Sequence, residues 1–181
     1  MRLGIFDHLG WAVAVTASAD AEVVDRRRIE LVEPGLSAAP IHYDRGRLDA
    51  AGTSALVAEV RASVVRMTEA AYDELERELT EPVVAVSLRS WPEDFPTDID
   101  VLRRPPYEAR ADAVMYRQVL AEVARARGWS VHFYEAKVVV DQAASLLGDR
   151  ADEVLVGPRA RLGPPWTKDH RVALASTIVA G

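Results

Sequence analysis

Asp7, Glu135, Asp169 and His170 are the side chains whose types and positions fit acid–base or metal chemistry, with Arg89 and Lys168 as the accompanying cations. Each also has a plainer reading. Asp7 stands between Phe6 and His8 and is either a turn former after a strand or a functional carboxylate. Asp169 falls in the first turn of an expected helix, where the dipole favours a carboxylate whatever its role. His8 and His170 are either proton-transfer groups or polar partners at a loop or helix end; His42 and His132 are read as structural. Glu135 with Lys137 reads as an ion pair at the end of a strand. Arg89 is expected at the carboxyl edge of a sheet, where a substrate anion would arrive. Trp166 is either a packing lid or a platform for a base.

Composition narrows the chemistry. The chain has no cysteine, which excludes disulfides, thiol nucleophiles and thiolate metal sites. A metal would need carboxylate and imidazole. No Gly-rich phosphate loop, no Gly-x-Ser-x-Gly elbow and no His-Glu-x-x-His is present, so the reactions those motifs support have no footing. The net charge of −6 weighs against general nucleic-acid binding but leaves room for a local basic patch. Lys137 and Lys168 are the only lysines, an arginine bias in keeping with a GC-rich genome. The clusters Arg26-Arg27-Arg28, Arg103-Arg104 and Arg159/Arg161 read as solvated surface. The start of the chain turns polar at Asp7 and His8, and no apolar run is long enough to span a membrane. A cytoplasmic protein of one domain, 1–181, with no membrane partner is expected.

The elements that must position these residues centre on Pro106 to Gly148, which reads as helix, strand, helix. Ala109, Ala113, Tyr116, Leu120 and Val123 form an apolar stripe. Gly128 caps that helix, and Ser130 to Glu135 follows as a buried parallel strand. Val83 to Leu88 is the strand before it, apolar on both faces. A right-handed crossover puts Leu88 and Glu135 at one edge. Upstream, Leu3–Phe6, Trp11–Val15 and Val23–Leu31 are three strands, the last two as a hairpin about Ser18-Ala19-Asp20. Ile41-His42-Tyr43 is a brief edge segment and Arg45-Gly46-Arg47 a loop. Thr53 to Leu79 is a long helix, capped by Thr53 or Ser54, with a second start at Thr68 if the run breaks. Its stripe of Val57, Val60, Val64, Met67, Ala71 and Leu75 either covers the sheet or forms a homodimer seam. Residues 91–104 are a loop, 138–147 a helix, 149–165 a connecting loop, and Thr167 caps a last helix, Lys168 to Ala180.

The order of a three-strand meander followed by two crossover strands, in a mixed five-stranded α/β sheet flanked by helices, resembles the ribonuclease H-like fold. Within it the chain resembles the small Holliday-junction resolvase branch. Gly4-Ile5-Phe6-Asp7-His8-Leu9-Gly10-Trp11 is similar to that family's Gly-Ile-Asp strand end, with one extra residue before Asp7. Lys168-Asp169-His170-Arg171 is similar to its last helix, although Val172 stands where a second Asp would be. Ser87 takes the place of the Glu that ends the fourth strand.

The resemblance implies phosphodiester cleavage with paired divalent cations, Mg2+ or Mn2+. Asp7 and Asp169 would be the metal ligands, Glu135 and His170 would complete the catalytic set, and Arg89 and Lys168 would meet a nucleic-acid substrate. Glu135, or Asp94 or Glu93 from the loop, would have to replace the carboxylate missing at Ser87. The alternative is an inactive fold that serves as a protein-binding or assembly module through the 53–79 helix or the 91–104 loop. The two readings part on whether Asp7, Glu135, Asp169 and His170 converge.

Overall fold

A computed structural model describes residues 1–44 and 46–181; Arg45, expected in a loop, lies outside the described residues. Strands β1 (Arg2–Asp7), β2 (Trp11–Ala17) and β3 (Val23–Glu30) form an antiparallel meander. β4 (Ala85–Arg89) and β5 (Ser130–Tyr134) add in parallel, giving the order β3-β2-β1-β4-β5. This is the mixed five-stranded sheet expected from the sequence.

Alternation along β1 divides the core between two layers. Leu3 and Ile5 pack with Val60 and Val64 of α1 (Ala50–Glu78) and with Tyr116 and Leu120 of α3 (Glu108–Ala126). The intervening positions face α4 (Val139–Leu147) and α7 (Lys168–Val179), where Phe6 packs on the cluster containing Val139, Val172 and Leu174. Gly4 lies on this second face. A Cβ built there would stand 1.9 Å from the Ala173 carbonyl oxygen, so only glycine allows α7 to come this close to β1.

Several expectations change in detail. β5 is parallel but is an edge strand rather than a buried one; Phe133 is 47% exposed and only Tyr134 of the strand is buried. Nothing pairs beyond it among the described residues, so half its apolar character faces outward. Ile41-His42-Tyr43 is a turn, because the Ile41 and His42 N–H groups donate to the buried Asp112 carboxylate at 3.1 and 2.9 Å and no ladder forms. Asp49, not Thr53 or Ser54, caps α1 by accepting from the Gly52 N–H at 2.7 Å. The helix runs unbroken past Thr68, and Val57, Val60, Val64, Ala71 and Leu75 of its apolar stripe pack on the core. The 91–104 loop contains α2 (Ile99–Leu102), and the expected 149–165 loop is built from α5 (Ala151–Leu155) and α6 (Pro158–Leu162). Nor is the Arg26-Arg27-Arg28 run simply wet. Arg26 donates to the carbonyls of Leu162 and Gly163 at 2.7 and 2.9 Å, and Arg27 pairs with Asp25 and Glu78. Among the described residues no helix is long and apolar enough to cross a membrane.

Tyr72 and Tyr116 are the largest fully buried side chains among the described residues, and the Tyr72 hydroxyl finds no hydrogen-bond partner there. Burying an unpaired hydroxyl costs about 1–3 kcal/mol. Tyr72→Phe is therefore expected to raise stability by about 1 kcal/mol, read as an upward shift of the urea midpoint at unchanged slope.

Candidate functional site

Asp7, Arg89 and Glu135 stand at the carboxyl ends of β1, β4 and β5, and Asp169 reaches that edge through His8, but no three acidic or imidazole groups converge among the described residues. The extra residue before Asp7 decides this. Side chains alternate across a strand, so one added residue moves a group to the opposite face. Phe6 takes the position on the α7 side, and Asp7 turns toward α3. Ser87, level with Gly4 on the neighbouring strand, lines the α7 side with Ser176, Val179 and Ala180. That side holds a phenyl ring and a hydroxyl where two carboxylates would be required.

On the α3 side Asp7 is 2% exposed and wholly engaged. Arg89 donates Nε to Oδ1 and Nη2 to Oδ2, each at 2.7 Å, and also reaches the Asp7 carbonyl. Arg117 of α3 donates Nε to Oδ2 at 2.9 Å and Nη1 to the Ser90 carbonyl at 3.2 Å. A forked guanidinium pair is the strongest partner a protein offers a carboxylate. Burial works against the Arg89 charge, and its hydrogen bonds to Asp7 together with the attraction of the Asp7 charge and of nearby Tyr134 and Asp169 more than offset this, so its pKa is raised. Arg89 also lies over the Phe6 ring, 4.6 Å from its centroid. The expectation that Arg89 waits for a substrate anion is thus corrected in part: one edge of its guanidinium belongs to Asp7.

Asp169 leads α7 on the other layer and is bound to His8, Oδ2 to Nε2, at 3.1 Å. His8 stacks on Trp11 with ring centroids 3.9 Å apart, and Arg28 lies 3.9 Å from the Trp11 centroid. His170 is not turned to Asp169. Its Nδ1 accepts the Thr167 N–H at 3.2 Å, with the Thr167 hydroxyl at 2.8 Å, so it closes the start of α7. Glu135 is exposed beyond β5 and accepts from the Ser90 hydroxyl; it does not replace the carboxylate missing at Ser87. Lys168 is exposed on the first turn of α7, and Glu93 and Asp94 are exposed on their loop.

Among the described residues no three or more His, Asp or Glu side chains come together to hold a metal ion. The metal set expected from Asp7 and Asp169 does not fit: one carboxylate is occupied by two arginines and the other by a histidine. Magnesium needs several oxygen ligands, and these two are committed on opposite layers of the sheet.

Burial and the nearby Arg26 charge lower the His170 pKa below its ordinary 6.5. Below pH 6.5 the unfolded chain therefore takes up a proton that the folded chain refuses. Stability falls on acidification through this window. His170→Gln is expected to flatten that fall between about pH 7 and pH 5, measured as urea midpoints against pH.

Arg117 was missed from the sequence. It sits inside the apolar run of α3, three residues after buried Val114 and four before buried Ala121, so it lies on the packed face. A charge there signals a buried partner of opposite sign.

No protein-family model matches the chain, and no curated protein sequence matches it. Solved structures do. One is Thermus thermophilus RuvC in complex with Holliday junction substrate, at a TM-score of 0.50 and 15% identity, over 98% of this chain and 90% of that one. Another is the Thermus thermophilus RuvC structure, at a TM-score of 0.47 and 16% identity, over 98% and 91%. With 15% identity the likeness is one of fold: the chain has the ribonuclease H-like architecture of RuvC, a mixed five-stranded sheet flanked by helices.

Proposed function

We propose that this chain is a nucleic-acid-binding protein that uses the RuvC-type scaffold without cutting its ligand. The observation that carries the proposal is the pair of guanidinium groups on Asp7. One buried carboxylate needs one cation for neutrality, and here it has two. The described hydrogen bonds use Nε and Nη2 of Arg89 and Nε and Nη1 of Arg117. Arg89 Nη1 and Arg117 Nη2 have no protein partner among the described residues, and neither is among the buried unpaired atoms. Two donors at the end of a sheet, with one charge in excess, suit a phosphate oxygen. RuvC is described in complex with a Holliday junction, which supports nucleic acid as the class of ligand. On this reading the arginines stand in for the positive charge of metal ions but supply no activated water.

The test is binding and cleavage of labelled single-stranded, duplex and four-way-junction DNA, with EDTA and with Mg2+ or Mn2+. Binding that persists in EDTA, falls with added salt and gives no product with either metal is the expected result. Metal-dependent cleavage that Asp7→Asn abolishes would overturn the non-hydrolytic reading. The alternative of a protein-binding module is favoured by the net charge of −6, and failure to bind any nucleic acid would leave it standing.

A further inference from the structure

We infer that the carboxyl edge accepts single-stranded nucleic acid, with an unstacked base held in the groove beside the guanidinium pair; this rests on the nucleic-acid reading above and narrows it. The groove, of about 290 Å³, is lined by Ser90, Trp91, Glu93, Arg125 and Phe133. Trp91 and Phe133 form an edge-to-face pair with centroids 4.8 Å apart. Phe133 is 47% exposed although it belongs to a strand. It does not serve the core: neither main cluster of buried side chains includes it.

The groove and the guanidinium pair are joined through one residue. Ser90 lines the groove, and its carbonyl accepts from Arg117 Nη1 at 3.2 Å. A phosphate at the arginines would therefore place its neighbouring base over the aromatic pair. Arg125, on the groove wall, is exposed and makes no ion pair among the described residues, so it adds a further cation for the backbone. Glu93 lines the groove and Glu135 adjoins it by accepting from the Ser90 hydroxyl; each is an acceptor for an exocyclic amino group rather than a phosphate contact. An aromatic platform beside a cationic track is the arrangement that binds single strands, because every base has a face to stack. In a duplex those faces are hidden, and only an unpaired strand can use the groove.

The experiment measures anisotropy of labelled oligothymidylate, oligouridylate and a mixed-sequence duplex with the full chain in EDTA. The wild type is expected to bind at least one of the two single strands about tenfold more tightly than the duplex. Phe133→Ala and Trp91→Ala are each expected to weaken single-strand binding about tenfold, the cost of one lost stack, while leaving duplex binding unchanged. Phe133 is half in solvent, so its variant is expected to keep the wild-type melting temperature. Equal affinity for strand and duplex, or wild-type binding by both variants, would overturn this inference while leaving the nucleic-acid reading intact. Binding to none of the three probes would overturn both.

Discussion

Asp7→Asn is expected to destabilise the protein by about 3 kcal/mol, a fall in melting temperature of about 6–12 °C for a chain of this size. The substitution removes the acid that Arg89 and Arg117 share and leaves two poorly solvated guanidinium groups, whose side chains are 24% and 14% exposed. Breaking one partner of a buried ion pair costs far more than the pair is worth, because the remaining charge stays desolvated. The partial exposure of both arginines holds the loss toward the low end of the usual range.

The sign of that change is diagnostic. In a metal-binding cluster of carboxylates, neutralising one acid relieves like-charge repulsion and stabilises the metal-free protein. Here the same substitution destabilises. Millimolar Mg2+ or Mn2+ is expected to leave the melting temperature of both proteins unchanged, since a ligand that bound the native state would raise it by mass action. A stabilised Asp7→Asn variant, or a wild type that melts higher with metal, would restore Asp7 as a ligand.

Gly4→Ala is expected to cost at least about 3 kcal/mol and to reduce the yield of folded protein. The new Cβ would fall 1.9 Å from the Ala173 carbonyl oxygen, 2.7 Å from its carbonyl carbon and 2.7 Å from Ser176 Oγ. Two of those atoms are backbone and cannot rotate away. The helix itself must shift, and the Val172, Ala173 and Leu174 packing shifts with it. The effect reaches the site because α7 carries Asp169 and β1 leads into His8. Binding measured on whatever folds should weaken together with the loss of the His8–Asp169 contact, which is seen as a change in the His8 ring signals in NMR spectra. A Gly4→Ala protein with wild-type stability would mean that α7 does not pack on β1 as closely as described.

The element order was legible because each element carries its own local signal. The meander has its turn residues, the crossover helix has its stripe and its Gly128 cap, and the last helix has Thr167 at its start. Local patterning could not say that β5 lies at the rim, since an apolar strand of five residues reads alike whether covered on one face or two. It could not distinguish Asp49 from Thr53 as the cap of α1, because both residue types serve.

At the site the sequence by itself determined which groups arrive at the carboxyl edge, and it recorded two departures: Ser87 in place of an acid, and one residue more before Asp7. Only the tertiary structure decided what those departures do. The side-chain period of a strand is two, so the added residue sends Asp7 to the layer of α3 and leaves Phe6 on the layer of α7. Arg117 then meets Asp7 across 110 positions of sequence, a contact that no spacing rule encodes. Residue types are local properties, whereas the face a carboxylate occupies and the charge that answers it depend on which elements are packed together.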